Sequence, residues 1–122
     1  QGFEAELASL PGNYAEPSGR LLIATTDDAV AGCIALKMID QETCEMKRLY
    51  VREEFRGQRI GIALIERLIT DAREIGYKRL RLDTFTPIMG KAVELYRSYG
   101  FREIEPYTTD PHPDLLFMDL AL

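Results

Sequence analysis

The sequence predicts an α/β fold in which a mixed, mostly antiparallel sheet is flanked by helices. Three apolar, strand-like runs separated by short polar turns occupy residues 20–51, a pattern that favours an antiparallel meander. The next run, 60–75, has its apolar residues on one helical face. A further strand-like run follows at 78–84. Because a helix connects it to the third strand, the two strands should lie parallel in one sheet.

The first half of the chain predicts a helix and then three strands. Residues 1–10 have apolar side chains at helical spacing, and the loop at 13–19 is rich in Pro, Ser and Gly. Strands are predicted at 20–26, 29–39 and 44–51. The second strand is apolar on both faces, which is typical of a central strand covered on each side.

The second half predicts the crossover helix, a second helix and a final hairpin. Gly76 suits the C-terminal cap of the first helix, and residues 85–89 are interpreted as a loop. The second helix is predicted at 90–99 because Ala92, Leu95, Tyr96 and Tyr99 share one face, and it ends at Gly100. The runs at 101–104 and 115–120 favour paired strands.

A basic turn joins the third strand to the first crossover helix. Residues 47–59 carry five basic and two acidic side chains, a local charge of +3 in a chain of formal charge −5. The first amides of a helix have no intrahelical partner, and the helix dipole is positive there, so a phosphate is favoured at this position. Gly57 and Gly61 would allow close backbone approach. A solvated turn without a ligand is the alternative.

The sequence of this turn lacks the Gly-Lys-Ser/Thr of a P-loop and the G-x-G-x-x-G of a dinucleotide fold. It resembles the acyl-CoA-binding motif of the GNAT N-acetyltransferase superfamily, Arg/Gln-x-x-Gly-x-Gly/Ala, and the resemblance runs from about residue 20 to the C-terminus. Gln58-x-x-Gly61-x-Ala63 matches literally. We prefer the frame Arg56-x-x-Arg59-x-Gly61, which keeps the usual spacing after the strand and puts Arg59 in place of the first glycine.

The resemblance implies a GNAT-like sheet whose parallel strand pair forms the CoA cleft. It implies acetyl-CoA as cosubstrate, with the pantetheine arm on the third strand and the pyrophosphate on the turn. The implied cofactor-binding residues are Leu49, Tyr50, Val51, Arg56, Gly57, Gln58, Arg59, Ile60, Gly61 and Ile62. GNAT proteins usually begin with a further strand and helix, so we expect the N-terminal strand and helix to be missing from this sequence, with extra residues or a partner chain covering the sheet edge.

Two residues are implied as catalytic. Tyr96 lies in AVELYRSYGF, which matches the family pattern A-x-x-L-Y-x-x-x-G-F, where the tyrosine commonly protonates the CoA sulfur. A core aromatic is the alternative. Met89 stands where that pattern often has an asparagine. Glu45 matches the position of a general base in several GNAT enzymes, and an ion pair with Lys47 or Arg48 is the alternative.

The acceptor site is predicted less specifically. A backbone N–H near Tyr50 or Val51 would hold the oxyanion. Met89, Phe85 and Tyr107 could line the acceptor pocket, and the amine itself is not identified by the sequence. The resulting prediction is an N-acetyltransferase that acts by direct attack in a ternary complex. A non-catalytic acyl-CoA-binding module and a protein-interaction domain without a cofactor are the alternatives.

Composition limits the other possibilities. A chain of 122 residues with 46% hydrophobic content predicts one domain, and a pI near 4.9 argues against nucleic acid or an anionic membrane as the main partner. Cys33 and Cys44 are predicted to be out of register and therefore free, which is typical of the cytoplasm. With a single histidine, His112, the sequence predicts no metal site, and a Cys/His nucleophilic pair is an alternative that the turn-rich segment around His112 does not favour. A homodimer remains open.

Overall fold

A computed structural model of the chain describes residues 17–27 and 29–122, and for residues 86–91 it describes the backbone only. The helix predicted at 1–10 and most of the loop after it lie outside the described residues. In chain order the elements are β1 (Arg20–Thr26), β2 (Ala29–Met38), β3 (Thr43–Val51), a 3₁₀ turn (Glu53–Phe55), α1 (Ile60–Ile75), β4 (Arg79–Phe85), α2 (Thr86–Tyr99), β5 (Arg102–Glu103) and β6 (Leu115–Ala121).

The described strands form one six-stranded sheet in the order β1-β2-β3-β4-β6-β5. All neighbours are antiparallel except β3 and β4, which pair in parallel. This confirms the predicted mixed sheet, its parallel pair and the terminal pairing of β5 with β6. β1 lies at the edge of the described sheet, where its outer backbone groups have no strand partner.

Helix α1 forms where the sequence predicts it, and its apolar face closes the core against β1, β2 and β3. The buried residues of this face are Leu64, Ile65, Leu68, Ile69 and Ala72. Gly76 ends the helix in the left-handed region, with φ of 109°, and its amide donates to the carbonyl oxygens of Ala72 and Arg73. Tyr77 then turns into the core and donates its hydroxyl to the Ser18 carbonyl oxygen at 2.7 Å.

The prediction of a loop at 85–89 is wrong. Phe85 is the last residue of β4, paired with Leu115 of β6, and α2 begins at Thr86. Pro87 explains the difference, because a residue without an amide proton fits the first turn of a helix, where amides have no intrahelical partner. Because α2 starts earlier than predicted, it follows β4 without a loop. The end of β4 and the start of α2 therefore lie beside the end of the parallel strand pair.

Both cysteines are free, as predicted, and Cys44 pairs with Met38 rather than lying beside Cys33. Burial raises the pKa of the Cys44 thiol to about 12 and also raises the pKa of Cys33. Thiols in this state are poor nucleophiles, because the reactive form is the thiolate. In the described part of the chain, no helix is both long and apolar enough to span a membrane.

Candidate functional site

A cavity of about 340 Å³ opens where the two parallel strands separate. β3 and β4 pair only through Thr43 with Arg79, Cys44 with Leu80, and Glu45 with Arg81. Beyond these pairs both strands continue without bonding to each other. The cavity is lined by Met46, Lys47, Arg48, Leu49, Leu82, Asp83, Thr84, Phe85 and Tyr96. It therefore lies at the carboxyl ends of parallel strands, the position where α/β sheets bind ligands.

A β-bulge in β3 accounts for the separation. Between the pairs Cys33–Tyr50 and Ala35–Lys47, β3 has two residues where β2 has one. One of the two, Arg48, has a left-handed backbone with φ of 60°, and its carbonyl oxygen accepts a bond from the Cys33 thiol at 3.3 Å. A bulge bends its strand and increases the local twist. It thus turns the end of β3 away from β4.

Tyr96 projects from α2 into this cavity. Its side chain is only 3% exposed, and its ring centre lies 5.6 Å from that of Phe101. Among the described residues the hydroxyl has no hydrogen-bond partner. Burial raises the pKa of Tyr96 to about 12, so the phenol stays protonated at neutral pH. The site thus offers a neutral hydroxyl that can donate one hydrogen bond into the cavity.

Glu45 lies at the last parallel pair and is not among the residues that line the cavity. It is 4% exposed, and its oxygens lie 3.5 Å from the Lys47 ammonium and 3.4 Å from the Arg81 guanidinium. It also accepts a bond of 3.2 Å from the Tyr107 hydroxyl. The ion pair with Lys47 is therefore present, and a second cation, Arg81, was not foreseen from the sequence. The role of Glu45 as a base stays a prediction.

The basic turn leaves backbone amides available at the start of α1. The first bond into the helix runs from the Ala63 amide to the Arg59 carbonyl oxygen at 3.0 Å, so the amides of residues 60–62 have no intrahelical partner. Gly57 has φ of 86° and Arg59 has φ of 64°. Arg59 thus holds the left-handed conformation that glycine adopts freely. This conformation is consistent with the preferred frame, in which a motif glycine occupies position 59.

Two arginines of this turn are engaged with the protein itself. The Arg56 Nε donates to the Val51 carbonyl oxygen at 2.9 Å, and its guanidinium lies 5.7 Å from the centre of the Tyr50 ring. Arg52 pairs with Glu54 at 2.9 Å. Their positive charge remains beside the free amides, while their bonds fix the path from β3 into the helix.

The other predicted residues are distributed around the cavity. Leu49 lines it, whereas Tyr50 and Val51 pair with β2, and the Tyr50 side chain is 53% exposed. Phe85 lines the cavity and packs edge-on against His112, with ring centres 5.2 Å apart. The Met89 side chain lies outside the described residues. In the described part of the chain, no group of three or more His, Cys, Asp or Glu side chains is arranged to hold a metal ion.

Sequence reasoning missed Asp83 and Thr84, which also line the cavity. A signal was present, because Asp83 is the only acid in the strand sequence RLRLDTF and lies near the carboxyl end of a parallel strand. Polar residues at such strand ends are candidates for ligand contacts.

Comparison with known proteins identifies the family of this chain. The acetyltransferase (GNAT) family profile matches residues 2–101. An uncharacterized N-acetyltransferase of Schizosaccharomyces pombe is 38% identical over 124 residues, covering 100% of this chain and 76% of that protein. This protein is therefore a member of the GNAT acetyltransferase family.

Solved structures show the same relationship. An acetyltransferase of Streptococcus agalactiae has a TM-score of 0.83 and 26% identity, over 98% of this chain and 76% of that one. A GNAT family acetyltransferase of Elizabethkingia anophelis, solved with acetyl-CoA bound, has a TM-score of 0.73 and 29% identity, over 86% of this chain and 77% of that one.

Proposed function

We propose that this protein transfers an acetyl group from acetyl-CoA to a primary amine by direct attack in a ternary complex. The observation that carries the proposal is Tyr96, a buried residue that lines a cavity at the opening of the parallel strands and whose hydroxyl has no partner among the described residues. A hydroxyl in that position is suited to donate a proton to a leaving thiolate. Family membership supports the same reaction class.

Acetyl-CoA fits the two features next to the cavity. The free amides of residues 60–62 and the basic turn suit the pyrophosphate, and β3 offers backbone groups to the pantetheine arm along Leu49, Tyr50 and Val51. The Elizabethkingia relative binds acetyl-CoA. We therefore assign the cofactor to β3 and the turn, through Leu49, Tyr50, Val51, Arg56, Gly57, Gln58, Arg59, Ile60, Gly61 and Ile62.

The proposed reaction is acyl transfer. The amine lone pair forms the new N–C bond at the thioester carbonyl, and a backbone N–H near Tyr50 or Val51 would stabilise the oxyanion. The C–S bond then breaks with its electron pair going to sulfur, and Tyr96 donates the proton that the sulfur takes up. The amine nitrogen must lose a proton to a base. Glu45 is the base that the family resemblance implies.

A screen of amines tests the proposal. Acetyl-CoA is mixed with the protein and with peptide N-termini, lysine derivatives, polyamines, amino acids or drug-like amines, and release of CoA thiol is followed together with the mass of the acetylated amine. We expect thiol release that depends on one amine class and yields its acetylated product. Cofactor binding without transfer to any amine would instead indicate a non-catalytic acyl-CoA-binding module.

Saturating CoA is expected to raise the thermal midpoint, because a ligand at about 100 times its dissociation constant stabilises a fold by about 2.7 kcal/mol. Gly61→Val should abolish this shift. A Cβ at position 61 meets only the Val51 Cγ2 at 3.6 Å, an ordinary contact, so the fold should tolerate the valine while its branches shield the free amides. Differential scanning fluorimetry with and without CoA measures both effects.

Two variants serve as controls for this prediction. Gly61→Ala should keep the shift, because the family pattern accepts alanine here, and Arg59→Ala should reduce it less than Gly61→Val, because it trims an exposed side chain. An equal shift in wild type and Gly61→Val would contradict the placement of the pyrophosphate on this turn.

A further inference from the structure

Asp83 differs from the other acids held inside this protein. Glu45, Asp71 and Asp119 are buried, and each lies within 4 Å of two cationic side chains. Asp83 is half-buried and lines the cavity, yet it forms no ion pair or hydrogen bond with any described residue. A carboxylate taken partly out of water without a partner is unfavourable for stability. Such a group is a candidate for a functional role.

The strand register places Asp83 on the wall opposite Lys47. Both residues lie two positions beyond the last parallel pair, Glu45 with Arg81, and both line the cavity. The Lys47 ammonium is held by Glu45 at 3.5 Å. On its other side Asp83 pairs with Phe117 of β6, which is uncharged. The Asp83 carboxylate is therefore available to a cation that enters the cavity.

We propose that Asp83 is the catalytic residue that takes the proton from the acceptor amine, an inference that rests on the function proposed above. A primary amine reaches the site as an ammonium ion, which the carboxylate attracts. One proton passes to Asp83, and the freed lone pair attacks the thioester carbonyl. The second proton lost from nitrogen leaves to water, while Tyr96 protonates the sulfur and is reprotonated by the Asp83 carboxyl or by water. In this arrangement Glu45 is a positioning residue that holds Lys47 and Arg81.

The electrostatic surroundings of Asp83 suit a base. Burial has the largest effect and raises the pKa of Asp83. The positive charges of Lys47 and Arg81 lower this pKa, and the negative charge of Glu45 raises it. A carboxylate with a raised pKa accepts a proton more readily, but it acts only while ionised, so activity should fall as the pH drops through that raised pKa. The titratable and charged groups that face Asp83 or share its cavity among the described residues are Lys47, Arg48 and Glu45 from β3, Arg81 from β4, Tyr107 from the connection to β6 and Tyr96 from α2.

Asp83→Asn tests this role in the complete chain, with acetyl-CoA and the amine that gives the highest thiol release. We expect turnover at neutral pH to fall by about 10²–10⁴-fold, the contribution typical of a positioned base. The loss should shrink as the pH approaches the pKa of the amine, because the neutral amine then needs no base. Folding should be preserved or improved, since the substitution removes an unpaired, partly desolvated charge.

Four further variants make the result specific. Asp110→Asn makes the same change at an exposed position outside the cavity and should keep wild-type turnover. Asp83→Glu should restore part of the rate, and Asp83→Ser provides a second test if the asparagine variant does not fold. Glu45→Gln should change the stability of the fold and the affinity for the substrates, and its turnover should not recover at alkaline pH.

The possible outcomes separate this inference from the proposed function. If the wild type is active and folded Asp83→Asn keeps full turnover, the role of Asp83 alone is overturned. The same follows if Asp83→Asn loses the same fraction of turnover at every pH. A wild type that binds acetyl-CoA and acetylates no amine overturns the proposed function as well. Recovery at alkaline pH in Glu45→Gln rather than in Asp83→Asn would assign the base to Glu45.

Discussion

Tyr96→Phe is expected to lower turnover by about 10²–10⁴-fold, the contribution typical of a positioned general acid. The substitution removes only the hydroxyl of this cavity-lining residue, and that hydroxyl has no partner among the described residues. The ring keeps its contact with Phe101. Folding and CoA affinity should therefore stay near wild type. Steady-state kinetics together with a single-turnover measurement would show whether the chemical step is the one that slows.

Tyr99→Phe is a matched control, because Tyr99 lies on the same helix but donates its hydroxyl to Glu66 at 3.0 Å, outside the cavity. This variant should keep full turnover. If Tyr96→Phe also keeps full turnover while chemistry limits the rate, the hydroxyl is not the proton donor. Unfolding of Tyr96→Phe would indicate a structural role for the hydroxyl instead.

The predicted pH behaviour of the wild-type protein follows from the pKa of the Tyr96 phenol. Burial raises the pKa of Tyr96 to about 12, so the donor form persists through the neutral and mildly alkaline range. Titration of Tyr96 should therefore contribute no loss of activity below about pH 11, because a donor is lost only as the pH rises through its own pKa. A basic limb near neutrality that disappears in Tyr96→Phe would contradict this assignment.

Local patterns predicted most of the fold because they have a clear physical period. The apolar face of α1 repeats with the helical period, so it depends only on residues close in sequence. Gly76 ends the helix, where a left-handed conformation is needed. The parallel pairing of β3 with β4 followed from the handed crossover through α1. The start of α2 was missed because Pro87 can begin a helix as well as interrupt one.

The candidate site was less predictable, because its contacts join residues distant in sequence. Glu45 was identified, but its partners Arg81 and Tyr107 come from β4 and from the connection to β6. The guanidinium of Arg81 also lies 3.9 Å from the centre of the Tyr107 ring. No local sequence pattern predicts these side-chain contacts. Asp83 illustrates the same limit, because the side chains around it, Lys47, Glu45 and Tyr107, come from β3 and from the connection to β6.

The bulge in β3 is another feature that pattern analysis did not anticipate. Alternation along the strand indicates which residues face the core, and a single inserted residue reverses the phase of that alternation for the residues after it. The residue type at position 48 does not indicate the bulge, because Arg48 has a left-handed backbone that is uncommon for a residue other than glycine. The bulge nevertheless decides where β3 leaves β4 and therefore where the cavity opens.

Gly32→Ala is expected to destabilise the protein by about 1–3 kcal/mol, the usual cost of adding a methyl group to a packed position. Gly32 pairs with Val51 beside the bulge. A Cβ there would lie 2.5 Å from the Tyr50 carbonyl oxygen and 3.2 Å from the Val51 Cα. Both are backbone atoms, so no side chain can rotate away, and β3 itself must move.

This movement should also weaken CoA binding, because the displaced backbone of Leu49, Tyr50 and Val51 is the proposed contact for the pantetheine arm. Urea unfolding measures the stability, and calorimetric titration with CoA measures the affinity. Gly61→Ala is the control, since its Cβ makes only an ordinary contact within a helix and should leave stability equal or slightly higher. A wild-type unfolding midpoint for Gly32→Ala would mean that β2 and β3 separate here at little cost. Lost stability with unchanged CoA affinity would mean that the cofactor does not depend on this part of β3.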